Sequence, residues 1–185
     1  MQKLAVIGSL GLLATVSAQA QTNPLSLRLG YSWLPNLSTA DITGSHGYTV
    51  GLGYDLPGIP GIPFKLSVDA DYSIHNGHGN DLHTGSLMLV GRTAFPGMGN
   101  GKGPGLYYGL GLGVLRNSTS YSTTVVGGSG TTTSKTSSTT YTGGAEILLG
   151  LNVNANSQVE LSYRISPSSS GVQPTSLGLV YAYHF

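Results

Sequence analysis

The stretch Thr175-Ser176-Leu177-Gly178-Leu179-Val180-Tyr181-Ala182-Tyr183-His184-Phe185 closes the sequence, and its alternation decides the fold. In an extended strand Leu177, Leu179, Tyr181, Tyr183 and Phe185 share one face, while Ser176, Gly178, Val180, Ala182 and His184 share the other. An apolar face ending in aromatics, opposite a small or polar one, suits a strand with lipid outside and a lumen inside. The pattern names a solvent before it names a task.

Composition points the same way. Charged residues make up 8% of the chain and hydrophobic ones 39%, with 29 glycines, whereas a soluble domain carries about 25% charge. Only the start holds a long apolar run: Met1-Gln2-Lys3 is followed by Leu4 to Val16 and then by the small residues Ser17-Ala18-Gln19-Ala20. That run falls short of the ~20 residues a spanning helix needs, so Met1–Ala20 is expected to be a cleaved secretory signal peptide, with an N-terminal membrane anchor as the alternative. Residues 21–185 are then a single barrel domain. The absence of cysteine excludes disulfides and thiolate metal sites, and a formal net charge of +1 gives no argument for nucleic-acid binding. No cofactor is implied.

Period-2 alternation outlines further strands over Leu25–Leu34, Gly47–Asp55, Phe64–Ile74, Thr84–Phe95, Leu106–Leu115, Tyr141–Val153 and Gln158–Ile165. With the closing strand this makes about eight, a number that the length accommodates at about 9 to 11 residues per membrane strand. Within Thr84–Phe95, Leu87, Leu89 and Phe95 share a face while Met88 and Val90 lie on the other, which blurs the alternation. The fold class expected is all-β, an antiparallel up-and-down transmembrane barrel.

The aromatics sort independently. With the N-terminus on the periplasmic side, Tyr31, Trp33, Tyr48, Tyr72, Tyr141 and Tyr163 fall near the outer strand ends, and Tyr54, Phe64, Phe95, Tyr108, Tyr181, Tyr183 and Phe185 near the inner ends. Two such girdles mark the two interfaces of a membrane barrel. A soluble β-sandwich or lipocalin-like barrel is the competing architecture, and it would bury its apolar face inward and expose more charge.

From Leu25 to Phe185 the chain resembles the small eight-stranded outer-membrane barrels of the OmpA and OmpX type, in strand count, girdles and the ending Tyr181-x-Tyr183-x-Phe185. The resemblance implies residence in a bacterial outer membrane after export through the periplasm. It also implies that the Phe185 strand is read by the outer-membrane insertion machinery. No peptidoglycan-binding domain follows in this sequence, so a bare, monomeric barrel is expected. The turns Leu56–Pro63 and Pro96–Gly105 are longer than that family's usual periplasmic turns.

Charges assigned to the lumen are Arg28, Lys65, Asp69, Asp71, Arg92, Glu146, Glu160 and Arg164. Both signs are present, and in so narrow an interior they are expected to pair as a polar plug, Arg92 or Arg164 with Glu146 or Glu160 among them. A narrow passive pore for small solutes or ions is the alternative use of the same residues. His75, His78 and His83 gather with Asp81 after the third strand, in a pattern that neutral imidazoles and a carboxylate could turn to metal binding. A solvated polar loop is the reading preferred there, with no metal.

The connection Arg116–Thr140 is rich in Ser and Thr around Val125-Val126-Gly127-Gly128-Ser129-Gly130. It reads either as two strands running on into a protruding hairpin, whose edge could recruit a surface partner, or as a mobile shielding loop. OmpX resemblance favours naming adhesion or envelope interaction for it. Some barrels similar to this one process lipid acyl chains with Ser and His, but no converging nucleophile, base and orienting group is legible here, and no enzyme is expected. A structural or surface-interaction role with a side-chain-filled lumen is therefore the functional expectation.

Overall fold

Alternation becomes architecture in eight antiparallel strands: β1 (Leu25–Trp33), β2 (His46–Asp55), β3 (Lys65–Gly77), β4 (Asn80–Ala94), β5 (Gly105–Gly127), β6 (Gly130–Asn152), β7 (Ser157–Ile165) and β8 (Ser176–His184). Each pairs with its sequence neighbours, and β8 returns to β1 to close the barrel. The structure, a computed structural model, describes residues 23–36, 39, 43–77, 79–95, 105–127, 130–168 and 173–185. The expected signal peptide Met1–Ala20 lies outside the described residues.

Register fixes the barrel's shape. From Arg28 the pairings through β2, β3, β4 and β5 lead to Thr142 on β6, whereas those through β8 and β7 lead to Asn152. The closed sheet is thus staggered by ten residues, from 142 to 152. With ~3.3 Å per residue and ~4.8 Å between strands, eight strands at that stagger tilt by about 40° and enclose a cylinder of about 8 Å backbone radius. Such an interior is narrow enough for side chains to fill.

The barrel is apolar outside and polar inside. Leu110, Leu112, Val114, Ile147 and Leu179 stand on the outer wall, with Leu112 71% exposed. Arg28, Asp69, Asp71, Glu146, Glu160 and Arg164 are buried within. A soluble sandwich or lipocalin-like barrel would invert this arrangement, because water rewards burial of the apolar face. An apolar band of this extent is far beyond what a soluble monomer exposes, and it demands lipid as its solvent.

Two boundaries move from their sequence expectation. β3 continues three residues past Ile74 and β4 begins at Asn80, so the polar stretch after Ile74 is a tight hairpin turning at Gly79, whose φ of 77° suits glycine. Beyond Leu115, β5 and β6 run on as an uninterrupted antiparallel pair as far as Gly127↔Gly130. The Arg116–Thr140 connection is an ordered hairpin rather than a loop, with paired threonines such as Thr124 and Thr133, whose hydroxyls lie 3.3 Å apart.

Candidate functional site

The lumen is where polar chemistry concentrates. Asp69 and Asp71 sit two apart on β3 and so point to the same side, inward. Arg28 arrives from β1, Arg92 from β4, Glu146 from β6, and Glu160 and Arg164 from β7. Arg28 Nε donates to Asp71 Oδ1 at 3.0 Å, and its Nη1 reaches Glu160 Oε2 at 2.9 Å and Asp69 Oδ2 at 3.1 Å. Arg92 grips the same two carboxylates, through Nε to Glu160 Oε1 at 2.8 Å and Nη2 to Asp69 Oδ2 at 2.6 Å. Its Nη1 also donates to the Ser67 hydroxyl.

Asp71 extends the chain of charges. Its Oδ2 accepts from Arg164 Nη2 at 2.8 Å, and the same nitrogen stands 3.4 Å from both Glu146 oxygens. The result is one connected network of three guanidinium groups and four carboxylates that ties five strands together. Ions so buried carry a desolvation cost of several kcal/mol each, which only this density of opposite charge and hydrogen bonding offsets.

Sequence reasoning placed these seven residues in the lumen but missed what faces them. Met88, Val90, Tyr107 and Leu148 form a buried apolar cluster from β4, β5 and β6. Its one polar atom, the Tyr107 hydroxyl, lies 2.8 Å from Glu160 Oε1 and 3.0 Å from Gln158 Oε1. Charge lines one side of the cavity and hydrocarbon the other. Glycines on neighbouring strands make the fit: a Cβ on Gly150 would fall on the Tyr107 ring, and one on Gly51 would fall on Asp71. The signal was present as the Leu106–Val114 alternation of large residues with Gly109, Gly111 and Gly113.

Above the network the interior stays polar. Ser32 Oγ lies 3.0 Å from His75 Nε2, and Thr49 and Ser73 share a hydrogen bond at 2.8 Å. At the end of the barrel where β1 finishes, Leu34 packs on Leu82, and Asn36 donates to Gln173 at 2.9 Å. At the end of the barrel where β1 begins and β8 finishes, a small recess of about 30 Å³ opens toward Arg28, Arg92 and Asp69, past Lys65, Asp55 and His184. Lys65 is exposed at this rim.

The histidine grouping does not assemble. His75 belongs to β3 and is buried in the lumen, whereas His83, on β4, bonds the Tyr72 hydroxyl at 2.8 Å on the outer face. Strand pleating sends them to opposite sides of the wall, because Ile74, not His75, is the partner of His83. Asp81 pairs instead with Lys135 at 3.5 Å, and His78 lies outside the described residues. Among the described residues no group of three or more His, Cys, Asp or Glu is placed to hold a metal.

On the outer wall Trp33, Tyr31, Tyr48, Tyr72, Tyr141 and Tyr163 are exposed toward one end, and Tyr54, Phe64, Tyr108, Tyr181, Tyr183 and Phe185 toward the other. Tyr31 meets Tyr48 edge-on at 5.9 Å, Phe95 lies 5.0 Å from Tyr108, and Tyr183 meets Phe185 at 5.6 Å.

Comparison with known proteins agrees with this inverted barrel. The chain is similar in fold to the N-terminal β-barrel domain of Pseudomonas aeruginosa OprF, at 12% identity and a TM-score of 0.56 over 89% of this chain and 100% of that one. It is also similar to Ail, the attachment invasion locus protein of Yersinia pestis, at 13% identity and a TM-score of 0.53 over the same shares, 89% and 100%. No curated protein matches the sequence. The family model for the outer membrane protein beta-barrel domain spans residues 6–185. The closed eight-strand sheet is thus the fold expected of that family, and this chain belongs to the outer membrane protein beta-barrel domain family.

Proposed function

We propose that the protein is a monomeric structural and surface-interaction barrel of the outer membrane, with a lumen sealed by its own side chains. The observation that carries this reading is the opposition of the Arg28–Asp69–Arg92–Glu160 core to the Met88–Val90–Tyr107–Leu148 cluster, joined where the Tyr107 hydroxyl meets Glu160. The two sets of outward aromatics serve as interfacial girdles, and the seven lumen charges act as a plug. Met1–Ala20 directs export, and the strand ending at Phe185 engages the insertion machinery.

Surface interaction falls to the β5–β6 hairpin. β7 pairs with β6 only from Ala145 onward, so among the described residues the β6 edge from Gly130 to Gly144 offers its backbone donors and acceptors to a partner strand. Unpaired edges of this kind template strand addition. Replacing Ser118–Thr140 by a short turn should abolish binding to host or envelope surfaces while leaving the barrel inserted; unchanged binding refutes the surface role.

A narrow pore is the second reading, favoured by the periplasmic recess at Arg28 and Arg92. Planar-bilayer recordings separate the two: the sealed barrel gives no reproducible unitary current, and steady unitary steps establish the pore. Catalysis has no part in this proposal, since the Ser32–His75 pair is buried and His75 Nδ1 has no partner among the described residues to orient it.

A further inference from the structure

Six of the eight Lys and Arg residues are described, and five have evident places. Arg28, Arg92 and Arg164 pair with the lumen carboxylates, Lys65 sits at the rim beside the recess, and Lys135 pairs with Asp81 on the hairpin. Arg116 is the sixth. It is exposed on the outer wall of β5, in line with Leu110, Leu112 and Val114, and has no ion pair or hydrogen-bond partner among the described residues.

A lone cation on a lipid-facing wall is costly at mid-membrane and nearly free at the interface, where its depth decides its solvent. Arg116 stands eight positions beyond Tyr108, which at the strand tilt is about 20 Å along the barrel axis and close to the far border of the ~25 Å apolar band. Its neighbours confirm that depth. Tyr141 is its direct partner on β6, and Gly85 is its partner on β4, beyond which lies Tyr72.

Gly85 has a geometric role. A Cβ there would stand 3.9 Å from Arg116 Cβ and 4.0 Å from Tyr72 Cδ2, so the missing side chain leaves a slot between cation and ring. On the other flank Gly143 meets nothing within 4 Å. A guanidinium is thus presented at headgroup depth beside two tyrosines, the Tyr72 hydroxyl held by His83, with glycine floors on both sides that can receive acyl chain or sugar.

We infer that Arg116, with Tyr72, Tyr141 and the Gly85 slot, forms a binding site for the phosphate-bearing headgroup of an outer-leaflet lipid. Guanidinium recognises phosphate with paired hydrogen bonds, and the hydroxyls and apolar floor hold the rest of the molecule against the wall. The site rests on the lipid-facing reading of the outer wall, and reconstitution separates the two: failure to enter a bilayer would refute that reading, while insertion without headgroup preference would refute only this site.

The test uses the full barrel in nanodiscs of phosphatidylcholine doped with phosphatidic acid, with the arginine side chains isotopically labelled and followed by NMR. Phosphatidic acid should shift the Arg116 signal, and native mass spectrometry should show retained phosphatidic acid falling about fivefold in Arg116→Gln. Gly85→Leu, which keeps the charge and fills the slot, should lower retention as well, whereas Lys65→Gln at the opposite rim should leave the Arg116 signal unchanged. Inorganic phosphate added to undoped nanodiscs should not move it. An unshifted Arg116 signal, undiminished retention in Arg116→Gln, or an equal response to inorganic phosphate overturns the site.

Discussion

Arg28 on the first strand and Glu160 on the seventh meet at 2.9 Å although 132 positions separate them. Glu160 is 0% exposed and holds Arg92 as well, so its carboxylate is the joint of the lumen network. Glu160→Gln takes from two buried guanidinium groups the carboxylate they share, and breaking a buried pair in this way costs about 3 to 5 kcal/mol. Urea unfolding in micelles should show that loss, while Lys135→Ala, at a solvent-exposed pair, should change stability by less than about 1 kcal/mol.

Tyr107 and Gly150 form a matched pair, ring over bare backbone. Gly150→Ala should push the ring aside, break its bond to Glu160 and lower the thermal midpoint by the equivalent of about 1 to 3 kcal/mol. Tyr107→Leu and the double variant complete a cycle, and the two losses should be less than additive if the clash is their common cause.

The outer wall can be probed at its most exposed leucine. Leu112→Arg should cost about 2 to 4 kcal/mol for a barrel folded in bilayers, because the cation would stand in hydrocarbon. Ser137→Arg, on the exposed hairpin, should stay within about 0.5 kcal/mol. Equal costs for the two would remove lipid from the outer wall.

Phe185 ends the chain with its backbone N–H donating to the Leu25 carbonyl at 3.3 Å, across the β8–β1 seam. Deleting it should reduce the amount assembled in the outer membrane severalfold, yet leave refolding into lipid vesicles nearly intact, since one frayed bond is lost. An equal defect in both assays would make Phe185 a structural residue rather than a recognition signal.

Much of this was readable from alternation, and the places where reading failed share a cause. Period-2 contrast exists only where the two faces of a strand meet different solvents. From Leu25 to Trp33 they do, and the strand is plain. From Thr133 to Thr139 the described side chains are exposed on both faces, so the alternation fades and the sequence alone leaves hairpin and loop both open for a pair of 23-residue strands. His75 escapes the alternation for a related reason: near the end of β3 a polar inward face reads like a turn. Leu148 hides inside Ile147-Leu148-Leu149, where wall and lumen are both apolar. The pairing of Arg28 with Glu160 depends on how far the sheet is staggered at closure, a quantity no local stretch encodes.

The same stagger ties neutralisation to completion. Arg28 emerges early and most of its countercharge comes from β3 and β7, so a chain lacking its last strands holds cations and carboxylates that have not all met. Entering hydrocarbon in that state would drag unpaired charge with it, whereas the finished cylinder encloses its charges in contact with one another. A form that enters hydrocarbon before its last strands pair therefore meets a desolvation cost that a nearly closed form does not.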